Sequence, residues 1–216
     1  MPINRFHSPE AIGVGAEIEY RNMGFSNGIL DFSNNSTSNP LLMSTSQDGE
    51  FYLGLGISKR ADLFVRVAEE SSSQVGVKVQ LLGEPSKKPA PGHKLSFSLG
   101  MGNERDEFDQ AFVIDLKSEV TDISFIHGYR TSPYFMIYDG ISVSSYSFEG
   151  KIQGATGLDS NEIDYRAKNI IGAHIGAILG SHTFKLKLEY ATQKIEWTNT
   201  EEKLFQYFAL ALGAGW

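Results

Sequence analysis

The last nine residues of the chain alternate strictly between larger and smaller side chains. The larger set comprises Phe208, Leu210, Leu212, Ala214 and Trp216. The smaller set comprises Ala209, Ala211, Gly213 and Gly215. A period of two is that of a β-strand rather than a helix. A strand with one apolar face and one nearly empty face fits a barrel wall that contacts hydrocarbon outside and a crowded or watery interior inside.

Composition excludes several other classes of protein. The 216 residues include 22 Gly, 7 Pro and 12% aromatic residues, which predicts one sizeable domain over 1–216. The longest apolar run, 207–216, is well short of the roughly 18 to 20 residues of a membrane-spanning helix. The absence of cysteine excludes disulfides, thiolate metal sites and cysteine nucleophiles. A net charge of −7 without a basic, aromatic-interleaved patch argues against a nucleic-acid partner.

Alternation recurs along the whole chain and predicts an all-β fold. We count twelve strands, at about 12–21, 51–57, 63–67, 75–81, 95–101, 112–119, 123–130, 133–139, 141–153, 165–179, 184–190 and 208–216. Residues 133–153 can instead form one strand, because the pair Asp139-Gly140 favours a hairpin without requiring it. The parity slips at Ser144-Ser145, as at a β-bulge. We take two strands there and keep ten as the alternative even count.

The predicted connections fall into two classes. Long polar loops at 23–49, 69–74, 103–110 and 154–164 share one side, which we call the far side. The other side, the near side, has turns at 58–61, 118–122, 139–140 and 180–182 and a longer proline-rich connection at 83–92. Short periplasmic turns and long external loops are typical of membrane barrels, and 23–49 is then a long extracellular loop. Residues 1–10 lack the features of a signal peptide, so we expect a periplasmic tail of a mature chain with a cloned Met1.

The C-terminal strand resembles the terminal signature of bacterial outer-membrane β-barrels, which the barrel-assembly machinery recognises. The residues that carry this resemblance are Phe208, Leu210, Leu212 and Trp216. The resemblance is one of architecture and names no single family. It implies a single antiparallel up-and-down transmembrane barrel in the outer membrane of a Gram-negative bacterium, in contact with outer-membrane lipid and lipopolysaccharide. A soluble β-sandwich or lipocalin-like barrel would also alternate, but it would place abundant charge on its exterior.

The polar faces of the strands provide the functional prediction. We expect the lumen to be lined by Glu17, Glu19, Arg21, Arg66, Lys78, Asp115, Lys117, Arg166, Lys168, His174, Lys185, Lys187 and Glu189. The full set of inward positions holds ten basic and six acidic residues. This excess of positive charge favours a narrow porin-like channel that transports small polar or weakly anionic solutes. In the alternative, the same charges pair across a closed lumen in a structural or surface-contact barrel.

A lipid-modifying enzyme is the third hypothesis. Lipid hydrolases and deacylases need a Ser, a His and an acid or amide within hydrogen-bond reach. His127, Ser132 and His182 are the available pieces, but no known motif surrounds them. The acidic stretch 104–109 has no calcium-loop spacing. We therefore predict that the protein is not an enzyme and has no metal or cofactor, and the sequence leaves its oligomeric state open.

Overall fold

The structure, a computed structural model, describes residues 8–25, 47–68, 73–109, 112–154, 160–197 and 203–216. These residues form ten β-strands. They are β1 (Gly15–Phe25), β2 (Gln47–Gly56), β3 (Ala61–Ala68), β4 (Gln74–Leu82), β5 (Gly92–Asp109), β6 (Phe112–Ser132), β7 (Phe135–Gly154), β8 (Ser160–Gly180), β9 (Phe184–Trp197) and β10 (Lys203–Gly215).

The strands close into an up-and-down barrel. Each strand pairs antiparallel with its neighbours in sequence, and β1 pairs with β10 to complete the ring. This last ladder sets Ile18 opposite Ala214 and Tyr20 opposite Leu212. Trp216 extends it by exchanging backbone hydrogen bonds of 3.0 and 3.1 Å with Ala16. The predicted all-β antiparallel barrel is confirmed, with the alternative count of ten strands.

The count of twelve is wrong because two predicted turns lie inside long strands. Residues 118–122 continue β6, and Asp139-Gly140 lies within β7, with ladder partners on both sides. The His174 ring packs so closely against Gly140 that position 140 has no room for a side chain. A Cβ atom there would lie 2.4 Å from His174 Cε1. The predicted parity slip at Ser144-Ser145 is wrong: β7 pairs with β6 without interruption, and Ser142, Ser144 and Tyr146 are all buried on the inner face. The β7–β8 register does shift between Ser144 and Tyr146, but the extra residue lies in β8, between Ala167 and Ile170.

The strands are longest on one side of the barrel. Strands β5 to β8 have 18 to 21 residues, whereas β1 to β4 have 8 to 11. The charged segment 103–109, predicted as part of a loop, is the far-side end of β5, and β8 begins inside the predicted loop 154–164. Membrane crossing needs only about 9 to 11 residues per strand. The four long strands therefore carry the sheet beyond the bilayer on the far side.

Exposed apolar side chains lie on the outer surface of every described strand. Leu53, Val65, Ile175 and Leu212 on four different strands are 40 to 61% exposed. A soluble barrel buries such side chains, and a continuous exposed apolar belt is typical of a wall that contacts lipid. Far-side Tyr20, Phe51 and Tyr190 and near-side Trp216 flank the belt, as in an aromatic girdle. The barrel is thus transmembrane. The described residues contain no helix whose length and apolar character would let it span a bilayer.

The described end of the predicted N-terminal tail packs inside the near-side mouth. Glu10, Ala11 and Ile12 are at most 2% exposed. The amide of Ala11 donates to Gln80 Oε1 at 2.8 Å, and that of Ile12 donates to both carboxylate oxygens of Asp62 at 3.0 Å. Residues 1–7 lie outside the described part of the chain. The segment 8–12, here called the mouth segment, therefore covers the near end of the lumen.

The terminal aromatic residue gives a first prediction. Trp216→Ala removes the near-side anchor at the strand that must close on β1, so we expect less heat-modifiable, membrane-inserted protein in the outer-membrane fraction. Ile57→Ala is the matched control, because Ile57 is an apolar residue beside the near-side end of β2 with 59% exposure. Equal, normal insertion of both variants would contradict the assembly role of Trp216.

Candidate functional site: a charge network inside the barrel

The interior network is organised around the small face of β10. Gly213 lies between Glu19 of β1 and Lys185 of β9, and Ala211 lies between Arg21 and Lys187. A Cβ atom on Gly213 would come within 2.9 Å of Glu19 Cγ and 3.2 Å of Lys185 Cε. The small residues of β10 therefore leave the space in which long side chains from its two neighbouring strands meet.

These side chains form a compact cluster of ion pairs. Lys185 contacts Glu17 directly and lies 3.5 Å from Glu19, whereas Lys187 contacts Glu19 directly and lies 3.9 Å from Glu17. Arg21 lies 2.9 Å from Glu19 through Nη2. None of these five side chains is more than 4% exposed. We call them the β1–β9 cluster.

Aromatic rings extend the cluster along β2 and β3. The Arg21 guanidinium pairs with Glu50 at 2.6 Å and lies 4.2 Å from the centroid of the Tyr52 ring. Tyr52 stacks on Phe64 with centroids 5.8 Å apart, and Arg66 lies 5.7 Å from the Phe64 centroid. Cation–π contacts strengthen when water is excluded. This wall of the lumen is thus packed, and its cations are held by both carboxylates and rings.

On the opposite side of the lumen, buried carboxylates accept hydrogen bonds from hydroxyl groups. Tyr138 on β7 donates a hydrogen bond of 2.9 Å to Glu189 on β9. Asp122 on β6 accepts hydrogen bonds from Ser124, at 3.2 Å, and from Ser144 on β7. Tyr138, Glu189 and Asp122 are at most 2% exposed. Buried carboxylates are stable only when they are paired in this way.

The near-side mouth has its own ion pairs. Arg130 donates two hydrogen bonds to the Glu10 carboxylate, one from Nε at 2.7 Å and one from Nη2. Lys94 lies 3.6 Å from the same carboxylate. Lys78 lies 3.1 Å from Asp62, whose oxygens also accept the amide of Ile12. A two-pronged Arg–carboxylate contact fixes direction as well as distance. The mouth segment is therefore fastened to β3, β4, β5 and β6.

The buried charges balance. Among the described residues, seven acidic and seven basic side chains are buried. They are Glu10, Glu17, Glu19, Glu50, Asp62, Asp122 and Glu189, with Arg21, Arg66, Lys78, Lys94, Arg130, Lys185 and Lys187. The predicted positive excess is therefore not present in the described interior. Three of the four excess charges arose because Glu10, Glu50 and Asp122 were assigned to a tail, a loop edge and a turn. The fourth is the balance of Arg166, Lys168 and Asp115, whose side chains lie outside the described part.

The structure places most predicted lumen residues inside the barrel. Those with described, buried side chains are Glu17, Glu19, Arg21, Arg66, Lys78, His174, Lys185, Lys187 and Glu189. The prediction that Lys117 lines the lumen is wrong: its side chain is 49% exposed on the outer face and pairs with Glu119 at 2.6 Å. The parity of β6 runs unbroken from Lys117 to Arg130, so odd-numbered residues point outward. The side chains of Asp115, Arg166 and Lys168 lie outside the described part.

Three buried acidic residues, Glu10, Glu50 and Asp122, were not predicted from the sequence to line the lumen. Glu50 has the parity of Tyr52 and Asp122 has the parity of Ser124, so strict alternation extended by one or two positions would have placed both inside. Glu10 has no local signal, because its partner Arg130 lies 120 residues away.

The three residues considered for catalysis are not brought together. His127 Nδ1 lies 3.0 Å from Asp139 Oδ1, and Ser132 Oγ accepts the amide of Tyr134 at 3.2 Å. His182, in a near-side turn, lies 3.0 Å from Ser86 Oγ. Burial, together with the ammonium groups of nearby lysines, lowers the pKa of His182. These contacts join turns and strands without completing a nucleophile–base–acid set among the described residues.

Solved structures that are similar to this chain include bacterial outer-membrane proteins. The outer-membrane protease OmpT from Escherichia coli is 9% identical, with a TM-score of 0.50, over 97% of this chain and 100% of OmpT. Ail, the attachment invasion locus protein of Yersinia pestis, is 11% identical over 94% and 97%, with a TM-score of 0.41. Neisserial surface protein A is 11% identical over 93% and 95%, with a TM-score of 0.43.

No protein-family profile and no curated protein matches the sequence. The chain thus has the fold of bacterial outer-membrane β-barrels, and at these identities the likeness extends to the fold alone.

The β1–β9 cluster gives a second prediction. Glu19→Gln leaves Lys187 and Arg21 without their shared carboxylate, which we expect to cost about 3–5 kcal/mol in the free energy of unfolding. The double variant Glu19→Gln, Lys187→Met should lose less, because the orphaned ammonium group is gone. Urea unfolding in lipid vesicles, followed by tryptophan fluorescence, measures both. A single variant as stable as the parent, or a double variant less stable than the single, would contradict this account of the cluster.

Proposed function

We propose that the protein is a structural or surface-contact barrel of the bacterial outer membrane whose lumen is closed. The supporting observation is that the charged residues of the β1–β9 cluster are paired with one another and at most 4% exposed. In a water-filled channel the lining charges are accessible to solvent, and they act on passing ions for that reason. Here the same side chains act on one another.

The balance of buried charge supports the same proposal. A selective channel uses an excess of one sign along its path. Seven acidic and seven basic buried side chains provide no such excess among the described residues. The mouth segment adds a second closure, because Glu10 and Ile12 are fastened across the near end. Both features support the closed barrel over the porin-like channel predicted from sequence.

The extended side of the barrel supports a role in surface contact. The Lys117–Glu119 pair lies on the outer face of β6 with about half of each side chain exposed, which is expected of a wall in water rather than in lipid. The described strand continues beyond this pair to Phe112, and β5, β7 and β8 extend with it. The four strands therefore present a sheet outside the bilayer. A mature chain with this sheet on the extracellular side could contact lipopolysaccharide or another surface.

The proposal does not include catalysis. His127, Ser132 and His182 make separate contacts, and Phe208, Leu210, Leu212 and Trp216 face outward, where they suit recognition by assembly machinery. Insertion by that machinery and contact with outer-membrane lipid are parts of the proposal.

Conductance distinguishes the closed barrel from the channel. We expect the purified protein to be silent in planar bilayers, and the double exchange Lys185→Glu, Lys187→Glu to lower the melting temperature while producing no current. Lys117→Glu is the control, since it makes the same exchange on the outer face and should leave stability nearly unchanged. A steady conductance whose reversal potential shifts toward cations in the double variant would support the channel and overturn the closed barrel.

A further inference from the structure

A row of polar side chains crosses the outer face of three strands. His93 Nδ1 lies 3.0 Å from His127 Nε2, and His127 Nδ1 lies 3.0 Å from Asp139 Oδ1. The side chains of His127 and Asp139 are 44% and 64% exposed. Because an ionised carboxylate only accepts hydrogen bonds, His127 Nδ1 donates to Asp139. Both ring nitrogens of His127 are thus engaged within the row, which ends in the His93 imidazole on β5 and in a carboxylate on β7.

Asp139 lies within the apolar belt rather than at its edge. Its outward neighbours along β7 are Ile137 and Ile141, and its ladder partner on β8 is Ile175. All three are 49 to 63% exposed. A tilted strand advances about 2.5 Å of membrane depth per residue. Asp139 is four residues from the start of β7 at Phe135, so it lies roughly 10 Å from the near-side end of the strand.

This position is unfavourable in a bare lipid environment. Ionisable groups that face hydrocarbon are costly, and where they occur they face protein or water. His127 satisfies one oxygen of Asp139, and no described residue hydrogen-bonds Oδ2. The row needs cover from another protein surface at the same depth.

We propose that a second copy of this chain covers the row, with the two-fold axis along the membrane normal. Such an axis places identical residues of both copies at the same depth in the membrane. The polar row of one copy therefore lies at the same depth as the polar row of the other. The same axis reverses the order of strands across the interface, which brings the β7 side of one copy toward the β5 side of the other. Each Asp139 carboxylate then faces the His93 imidazole of the second copy, whose Nε2 makes no hydrogen bond among the described residues. A different partner would need its own donor group at this depth.

The surroundings of the row fit a contact between two walls. Phe125, Ile137, Ile141 and Ile175 form an apolar rim that matches itself across the axis. On β8 the outward positions beside Ile175 are Ala173 and Ala177, whose small side chains permit close approach.

The absence of cysteine from the chain makes a direct test possible. Ile141→Cys places a single thiol beside the row, and Leu53→Cys places one on β2, on the opposite side of the ten-strand ring. Both parent residues face lipid, at 63% and 42% exposure. In dilute proteoliposomes treated with a flexible bis-maleimide reagent, which bridges thiols on either side of the axis, we expect the Ile141→Cys variant to form a covalent dimer and the Leu53→Cys variant to stay monomeric. Equal cross-linking of both would overturn the proposal.

A second pair of variants separates the polar row from simple apolar contact. Adding His127→Leu and Asp139→Leu to the Ile141→Cys variant should weaken dimerisation by about tenfold, the effect of one or two hydrogen bonds in a membrane. The leucines suit lipid, so the barrel should remain folded and heat-modifiable. Unchanged cross-linking in this variant would overturn the assignment of the interface to the row.

The identity of the partner is tested in whole cells. A photo-reactive amino acid in place of Ile141 should give an adduct of twice the 23.8 kDa chain mass. An adduct of another mass would replace the second copy with a different protein, and no adduct would leave the row facing lipid. Either result would overturn the proposal.

Discussion

The structure depends on the contact of β1 carboxylates with β9 lysines across the small face of β10. Glu19 and Lys185 meet above Gly213, where a larger side chain has no room. The strand that closes the barrel therefore also sets the space for its interior. Removing the charge of one residue leaves its partner charged and unpaired in a site that water does not reach. Leaving a buried charge unpaired is among the most destabilising effects of a substitution. The sequence of β10 is constrained by lipid on one face and by this cluster on the other.

The two faces of the wall explain why the lumen is closed. The outer face must be apolar to match hydrocarbon, so almost all polar side chains of the crossing strands point inward. In a ring of ten strands, long side chains such as Arg21 and Lys187 reach across to partners on other strands. Pairing then becomes the means by which each buried charge is satisfied. The row that includes His127 and Asp139 breaks this division of the wall, and for that reason it indicates contact with protein rather than lipid.

Much of the fold could be predicted from alternation, because the barrel turns parity directly into inside and outside. Glu17, Lys78 and Lys187 were placed by this rule alone. The rule failed where polar interior residues imitate a turn, as at Asp122, and where a glycine serves close packing, as Gly140 does against His174. It could not place Glu10, whose burial depends on Arg130 far along the chain. Nor could parity identify Asp139 as the partner of His127, because Asp139 was assigned to a hairpin turn rather than to the neighbouring strand.

The central claim is that water does not reach the middle of the lumen, and thiol accessibility tests it most directly. Ser98 on β5 points inward with 1% exposure, and Ser58 lies in an exposed near-side turn. In folded protein in lipid vesicles, a charged methanethiosulfonate reagent should modify a Ser58→Cys variant rapidly. The same reagent should leave a Ser98→Cys variant unmodified until the barrel is unfolded. Rapid modification of the Ser98→Cys variant in the folded barrel would show an open water path and contradict the account.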